Sequence, residues 1–209
     1  MKVIVVIADI VHSRLIVDRR VFQRRLEKTL QQLSAKNESL LSPYTITLGD
    51  EFQAVYSKPD RLFRDFFMLQ RSLYPNRIRL VAGIGKLSTR INPRMSIGMD
   101  GPAFHRARAG ILEAKQSGVL LRAVAEGTDS LGWIEPSMDL LSHVIMGWKR
   151  NRLEIMQRLL DGEETGAIAR AMKLTPAGVY KNIQAGALNT VRELCAEMTR
   201  TLESRRKQV

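Results

Sequence analysis

Cysteine is almost missing from this chain of 209 residues: Cys195 stands alone. One thiol cannot close an internal disulfide, which fits a reducing compartment and makes Cys195 a filler on a helix face. With only three histidines, none grouped with the cysteine at zinc-ligand spacing, a zinc site of the Cys/His type is excluded. Long apolar runs are missing too. Nothing approaches the roughly 18 uncharged residues of a membrane span, and the opening MKVIVVIADIV lacks a basic region followed by a small-residue cleavage site. The expectation is a cytoplasmic protein. Internal repeats and low-complexity tracts are also absent.

Among the charges, acid is scarce: 21 Asp and Glu face 33 Lys and Arg, for a net charge of +12. Surplus cation attracts polyanions through a sequence-independent term, so nucleic acid, nucleotides and acidic surfaces are the candidate partners. The surplus is shared, with +5 in residues 149–209 and +7 before them. Recurring arginines such as Arg19, Arg20, Arg24, Arg25, Arg77 and Arg79 are equally what solvated faces carry. A hydrophobic content of 44% is enough for a packed core.

KVIVVIADIV near the start is a β-branched run too continuous for a half-exposed strand, so it predicts a central strand covered on both faces, with Asp9 near its carboxyl end. Val21, Phe22, Leu26, Leu30 and Leu33 recur at helical spacing between residues 17 and 33. Ser42-Pro43 then reads as a break. YTITL and FQAVY flank Gly49-Asp50-Glu51 as a β-hairpin. A helix follows from Pro59 to about Tyr74, then the strand RIRLVAGIG and the turn-rich loop LSTRINPRMSIGMDG, which is long enough to carry function. GPAFHRARAGILEAKQ resumes a helix and GVLLRAVA a strand. Strand signals stop beyond Gly127, and from Ser137 the chain reads as helical. This order predicts an α+β fold of ferredoxin-like or palm type, residues 1–140, followed by an all-α domain, residues 141–209.

If the first strand and the hairpin are neighbours, Asp9 and Asp50 can converge at the sheet edge with Glu51 beside them. Two acids there repel unless a cation lies between, and carboxylates completed by water and phosphate oxygens are what Mg²⁺ prefers. Spacing alone allows a second reading, in which Asp9 caps a strand end and Asp50 and Glu51 decorate a turn.

ADIV at 8–11, LGDEF at 48–52, VAGIG at 81–85 and GPAFHRARAG at 101–110 follow the order seen in class III nucleotidyl cyclases, and GDEF resembles the signature turn of diguanylate cyclases, which share the palm fold. ADIVHSR, TLGDEFQAV, GIGKLSTRI and SIGMDGPAFHRAR together resemble the SatD family over roughly residues 3–110. The resemblance implies that Asp9 and Asp50 occupy metal positions, with Glu51 beside them. The cyclase pattern is not complete. His105 stands where those enzymes carry an Asn, Arg108 falls about one residue out of phase, and no Lys/Asp pair selects adenine. Metal-dependent nucleotide binding is therefore expected in preference to cyclisation, with no general base assigned. Ser13 and Arg14 after the first strand, Gly49 in the turn, Asp100-Gly101 before the helix and Arg108 on it are the expected nucleotide contacts. His12 and His105 are taken as loop polar residues.

Further on, TGAIARAMKLTPAGVYKNIQAGAL fits a helix, a short turn and a second helix, with Ile168, Met172, Leu174, Val179 and Ile183 as its core and Thr175-Pro176 as a cap and first turn. It resembles the helix-turn-helix of sigma-factor region four and of response-regulator output domains, although Lys173 stands where many such turns have glycine. The resemblance implies that Thr175, Ala177, Tyr180, Lys181, Asn182 and Gln184 meet a DNA groove. A three-helix protein-contact module has the same apolar spacing. Val191, Leu194, Met198 and Leu202 mark a last helix able to pair with its copy in a homodimer, and ESRRKQV is expected to fray.

Two functions follow from different classes. One is a nucleotide- and Mg²⁺-binding regulator that binds DNA. The other is an active nucleotidyl cyclase or nucleotidyltransferase whose helical tail only oligomerises. A scaffold with neither activity is the third possibility.

Overall fold

The computed structural model describes residues 2–35, 37–127 and 131–208. Strand β1 (Val3–Ile10) is followed by a 3-10 turn, helix α1 (Arg19–Ala35), the hairpin β2 (Leu40–Leu48) and β3 (Glu51–Tyr56), α2 (Leu62–Ser72), β4 (Ile78–Gly85), α3 (Pro102–Ser117) and β5 (Leu121–Val124). Five helices complete the described chain: α4 (Ile134–Met146), α5 (Arg150–Leu160), α6 (Thr165–Met172), α7 (Pro176–Ala185) and α8 (Leu188–Lys207).

The sheet order is β2-β3-β1-β4-β5. β1 is antiparallel to both of its neighbours, β2 to β3, and β5 runs parallel to β4. Every residue of β1 is buried, as its unbroken apolar run predicts. The alternation of side chains splits it between two cores: Val3, Val5 and Ile7 pack under α3, while Ile4, Val6, Ala8 and Ile10 join the larger core on the other face. α3 lies very close to the sheet. A Cβ at Gly83 would come 2.3 Å from the carbonyl oxygen of Ala103, so only glycine fits there.

Pro43 does not break the chain; it lies inside β2. The pairing register shifts on either side of it, and β2 is an edge strand, so the N–H that proline lacks costs little in the ladder. At the other edge, α4 covers β5 and the Ser142 hydroxyl accepts from the Leu121 amide at 3.1 Å.

The C-terminal helices share the large core. Phe67 of α2 stacks on Trp148 with ring centroids 6.0 Å apart, and Met156, Val179, Cys195, Met198 and Leu202 are buried in the same cluster. Arg64 of α2 pairs with Asp161, and Arg71 with Glu154 at 3.5 Å. The stripe of α8 is thus covered by the chain itself: Val191, Met198 and Leu202 are buried and Leu194 is half-buried. The helix does not fray at ESRRK. It runs to Lys207, where Arg206 bonds Glu203 at 2.7 Å and the Lys2 ammonium donates to the Gln208 carbonyl at 2.6 Å.

Candidate functional site

The carboxyl end of β1 carries polar groups on both faces of the sheet. Asp9 pairs with Glu51 on β3 and with Arg79 on β4, so three charged side chains form one row across the α3 face. Arg79 Nη1 donates to both Asp9 oxygens, at 2.8 and 3.0 Å, and Lys115 Nζ of α3 lies 3.1 Å from Oδ2. Arg108 Nη1, also from α3, donates to Glu51 Oε2 at 2.6 Å, while the Thr47 hydroxyl is 3.3 Å from Oε1. Two carboxylates are therefore matched by three cations.

Asp50 belongs to the other face. In the two-residue turn Gly49 takes φ 49°, and the Asp50 side chain accepts from the Ser13 hydroxyl at 2.5 Å. His12, with φ 54°, turns the chain out of β1 so that Ser13 reaches it. Around Asp50 lies a concavity of about 500 Å³ with Ile10, Ile16 and Phe22 on its apolar side and Ser13, Arg14, Arg19 and Arg20 on its polar side.

Parity explains the separation. Glu51 faces Asp9 in the register, so Glu51 shares the Asp9 face and the turn residue before it does not. The oxygens of Asp9 and Glu51 are already engaged by cations and a hydroxyl, and the Asp50 carboxylate stands across the sheet. In this arrangement Asp9 bonds to Arg79 and Lys115, Glu51 to Arg108, and Asp50 to Ser13. Among the described residues, no group of three or more His, Cys, Asp and Glu is placed to hold a metal.

The expected nucleotide contacts divide in the same way. Ser13, Arg14 and Gly49 line the Asp50 concavity. Arg108 is taken by Glu51 on the opposite face. Asp100 and Gly101 lie at the start of α3, beside the end of β4 that carries Gly85, and six register positions, roughly 20 Å, separate Gly85 from Arg79. There Asp100 meets His105 Nε2 at 2.8 Å, and its carboxyl is held below the usual range by the Gly101 amide first and by His105 second. The loop 86–101 is pinned over β2 through Ser42 Oγ to the Asn92 carbonyl at 2.6 Å and Ser96 Oγ to the Pro43 carbonyl at 2.7 Å.

Arg79, Lys115, Arg19 and Arg20 were not among the expected site residues. The first had a signal: Arg79 interrupts the otherwise apolar IRLVAGIG of a strand, an arginine buried there requires a buried acid, and VIVVIADI contains one. Lys115, Arg19 and Arg20 sit on helix faces full of similar charges, where spacing singles out none of them.

In the C-terminal helices, Lys173 ends α6 at φ 53° and ψ 42°. The Leu174 amide returns to the Ala169 carbonyl at 2.9 Å and the Lys173 amide to the Arg170 carbonyl at 3.2 Å, the paired bonds of a Schellman ending. Thr175 caps α7, its hydroxyl accepting from the Gly178 amide at 3.1 Å. Ala177, Tyr180, Lys181 and Gln184 are exposed on α7. Asn182 is half-buried and its amide donates to the Gly178 carbonyl at 2.9 Å.

Sheet, helices and sites define an α+β protein in which a five-stranded mixed sheet shares one core with a group of C-terminal helices, and none of its described helices is long and apolar enough to cross a membrane. The chain belongs to the SatD family, whose model matches residues 3–192 and so takes in the helices up to the first turn of α8. No curated protein matches it.

Proposed function

We propose that this protein is a DNA-binding regulator that also takes up a nucleotide. In this reading α6 and α7 form a helix-turn-helix, and α7 is the helix that enters the groove. The observation that carries it is the division of α7: Val179 and Ile183 are buried, while Ala177, Tyr180, Lys181 and Gln184 leave a polar face open. Gln reads adenine and Lys reaches guanine or phosphate, so this face has the chemistry for base readout. The Asn182 amide, bonded to its own helix, is not assigned a base.

The βαββαβ order, with β2-β3-β1-β4 antiparallel throughout, supports a palm-like reading of the sheet. Arg14, Arg19 and Arg20 around the Asp50 concavity suit the phosphates of a nucleotide, with Ile10, Ile16 and Phe22 against its apolar part. The engagement of Asp9 by Arg79 and Lys115 favours binding over nucleotidyl transfer.

Retardation of a duplex from the region upstream of its own gene tests the DNA reading. Lys181→Ala is expected to weaken binding and flatten its salt dependence by about one contact. Absence of retardation even at low salt would rule the reading out.

A further inference from the structure

Four cations gather where α1 and the α2–β4 connection meet the C-terminal helices. Lys149 precedes α5, and Arg150 and Arg152 lie in its first turn, at the end where the helix dipole disfavours positive charge. With Tyr74 and Asn182 they line a concavity of about 440 Å³. Arg25 reaches in from α1 and donates to the Tyr74 carbonyl at 2.7 Å. Burial first and the Arg150 charge second hold the Arg25 guanidinium below its usual range.

The arginines that bridge buried elements are paired: Arg79 has Asp9, Arg64 has Asp161 and Arg158 has Glu163. Among the described residues, Arg25, Lys149, Arg150 and Arg152 have no acidic partner within 4.0 Å. Arg152 Nε is buried without a hydrogen-bond partner. Its stem is held over Gly186 at the end of α7, where a Cβ would come 2.6 Å from Arg152 Cδ. Crowded like charges of this kind attract a polyanion that neutralises them together.

We propose that this concavity clamps successive phosphates of duplex DNA, fixing the register in which α7 presents its exposed face. The inference rests on the helix-turn-helix reading. Asn182 lies in the concavity and Lys181, the residue before it in α7, faces solvent, so one helix borders both the clamp and the reading surface. Phosphate contacts position such a helix, and base contacts specify the site. Lys149 and Arg150 are exposed on the rim, where they suit an extended backbone better than a small enclosed anion.

The test uses the full chain with Lys149 and Arg150 both changed to Gln, substitutions at exposed positions outside the core. Fluorescence anisotropy is read on two labelled duplexes, one from the upstream region and one unrelated, across about 50 to 200 mM salt, with circular dichroism to show that the fold is kept. The expected result is a loss of at least roughly tenfold on both duplexes alike and a log–log salt slope flatter by about two, against about one for Lys181→Ala. Wild-type affinity and slope in the double variant would overturn the clamp and leave the helix-turn-helix reading standing. If the wild type binds neither duplex, that reading falls and the clamp with it. A double variant that keeps DNA affinity but loses binding of ATP would assign the concavity to a free nucleotide and overturn the DNA proposal.

Discussion

Arg79 faces Asp9 across the β1–β4 register, and both side chains are under one-tenth exposed. A buried pair of this kind has lost its hydration, so removing one member strands the other at a cost of about 3 to 5 kcal/mol. Arg79→Met is expected to lower the unfolding free energy by about 3 kcal/mol, because Lys115, nearly half exposed, can replace only part of the lost charge. Adding Asp9→Asn to Arg79→Met is expected to restore part of that loss, since no carboxylate is then buried against an apolar side chain. Urea midpoints of the two variants check this, and an unchanged midpoint in Arg79→Met would contradict it.

Asp65 predicts a pH dependence. Its side chain is buried in α2, with Oδ2 accepting from the Tyr56 hydroxyl at 2.5 Å and the Asn37 amide at 2.6 Å while Oδ1 has no hydrogen-bond partner and only Arg64 Nη1 at 3.9 Å. Burial, the largest influence, outweighs the Tyr56 hydrogen bond and nearby arginines and raises its pKa from 3.8 to about 6. A folded-state pKa above the unfolded one means that the folded chain binds the proton more tightly. The stabilisation is therefore full below about pH 4 and is lost as the pH rises through about 6, on the order of 3 kcal/mol in all. Asp65→Asn keeps an acceptor for Tyr56 and Asn37 but carries no charge. The stability difference between wild type and Asp65→Asn, followed by urea denaturation from about pH 4 to 7, is expected to shift toward the variant as the pH rises; a flat difference would refute the assignment.

The elements were legible in the sequence because each carries its own period: β1 as an unbroken apolar run, α1 and α2 as 3.6-residue stripes, the hairpin as Gly49-Asp50 between two strand-like segments. The meeting of side chains was not. Whether Asp9 and Asp50 share a face depends on which residue of β3 stands opposite Asp9, and the answer, Glu51, is set by pairing across the sheet and not by either segment. Pro43 read as a break because local preference carries no information on which strand lies at an edge. The α8 stripe read as a dimer seam because apolar periodicity reports that a face is covered, not by what; here the cover is the chain's own core.

Lys173 offers a gain in stability. A residue other than glycine in the left-handed region costs roughly 1 kcal/mol, and Lys173 is exposed at the end of α6. Lys173→Gly is expected to stabilise by about 0.5 kcal/mol, because glycine's extra freedom in the unfolded chain offsets part of the relief. Thermal melting checks the sign. A lower melting temperature would mean that the lysine side chain makes a stabilising interaction not accounted for by its backbone conformation.

Asp50 separates two accounts of its concavity. If the carboxylate helps hold a metal on which a nucleotide depends, Asp50→Asn weakens nucleotide binding. In the arrangement described above, Asp50 is the one acid among Arg14, Arg19 and Arg20, bonded to Ser13, and its charge opposes an incoming phosphate. Replacing it by the isosteric amide keeps an acceptor for the Ser13 hydroxyl and removes a like-charge repulsion of about 1 kcal/mol. Asp50→Asn is thus expected to tighten ATP binding roughly fivefold in the presence of a chelator, and Arg19→Ala with Arg20→Ala to weaken it by about tenfold or more. Isothermal titration with and without Mg²⁺ distinguishes the cases. Weaker binding in Asp50→Asn, seen only when Mg²⁺ is present, would return Asp50 to a metal-binding role and require the β2–β3 turn to rearrange when the nucleotide binds.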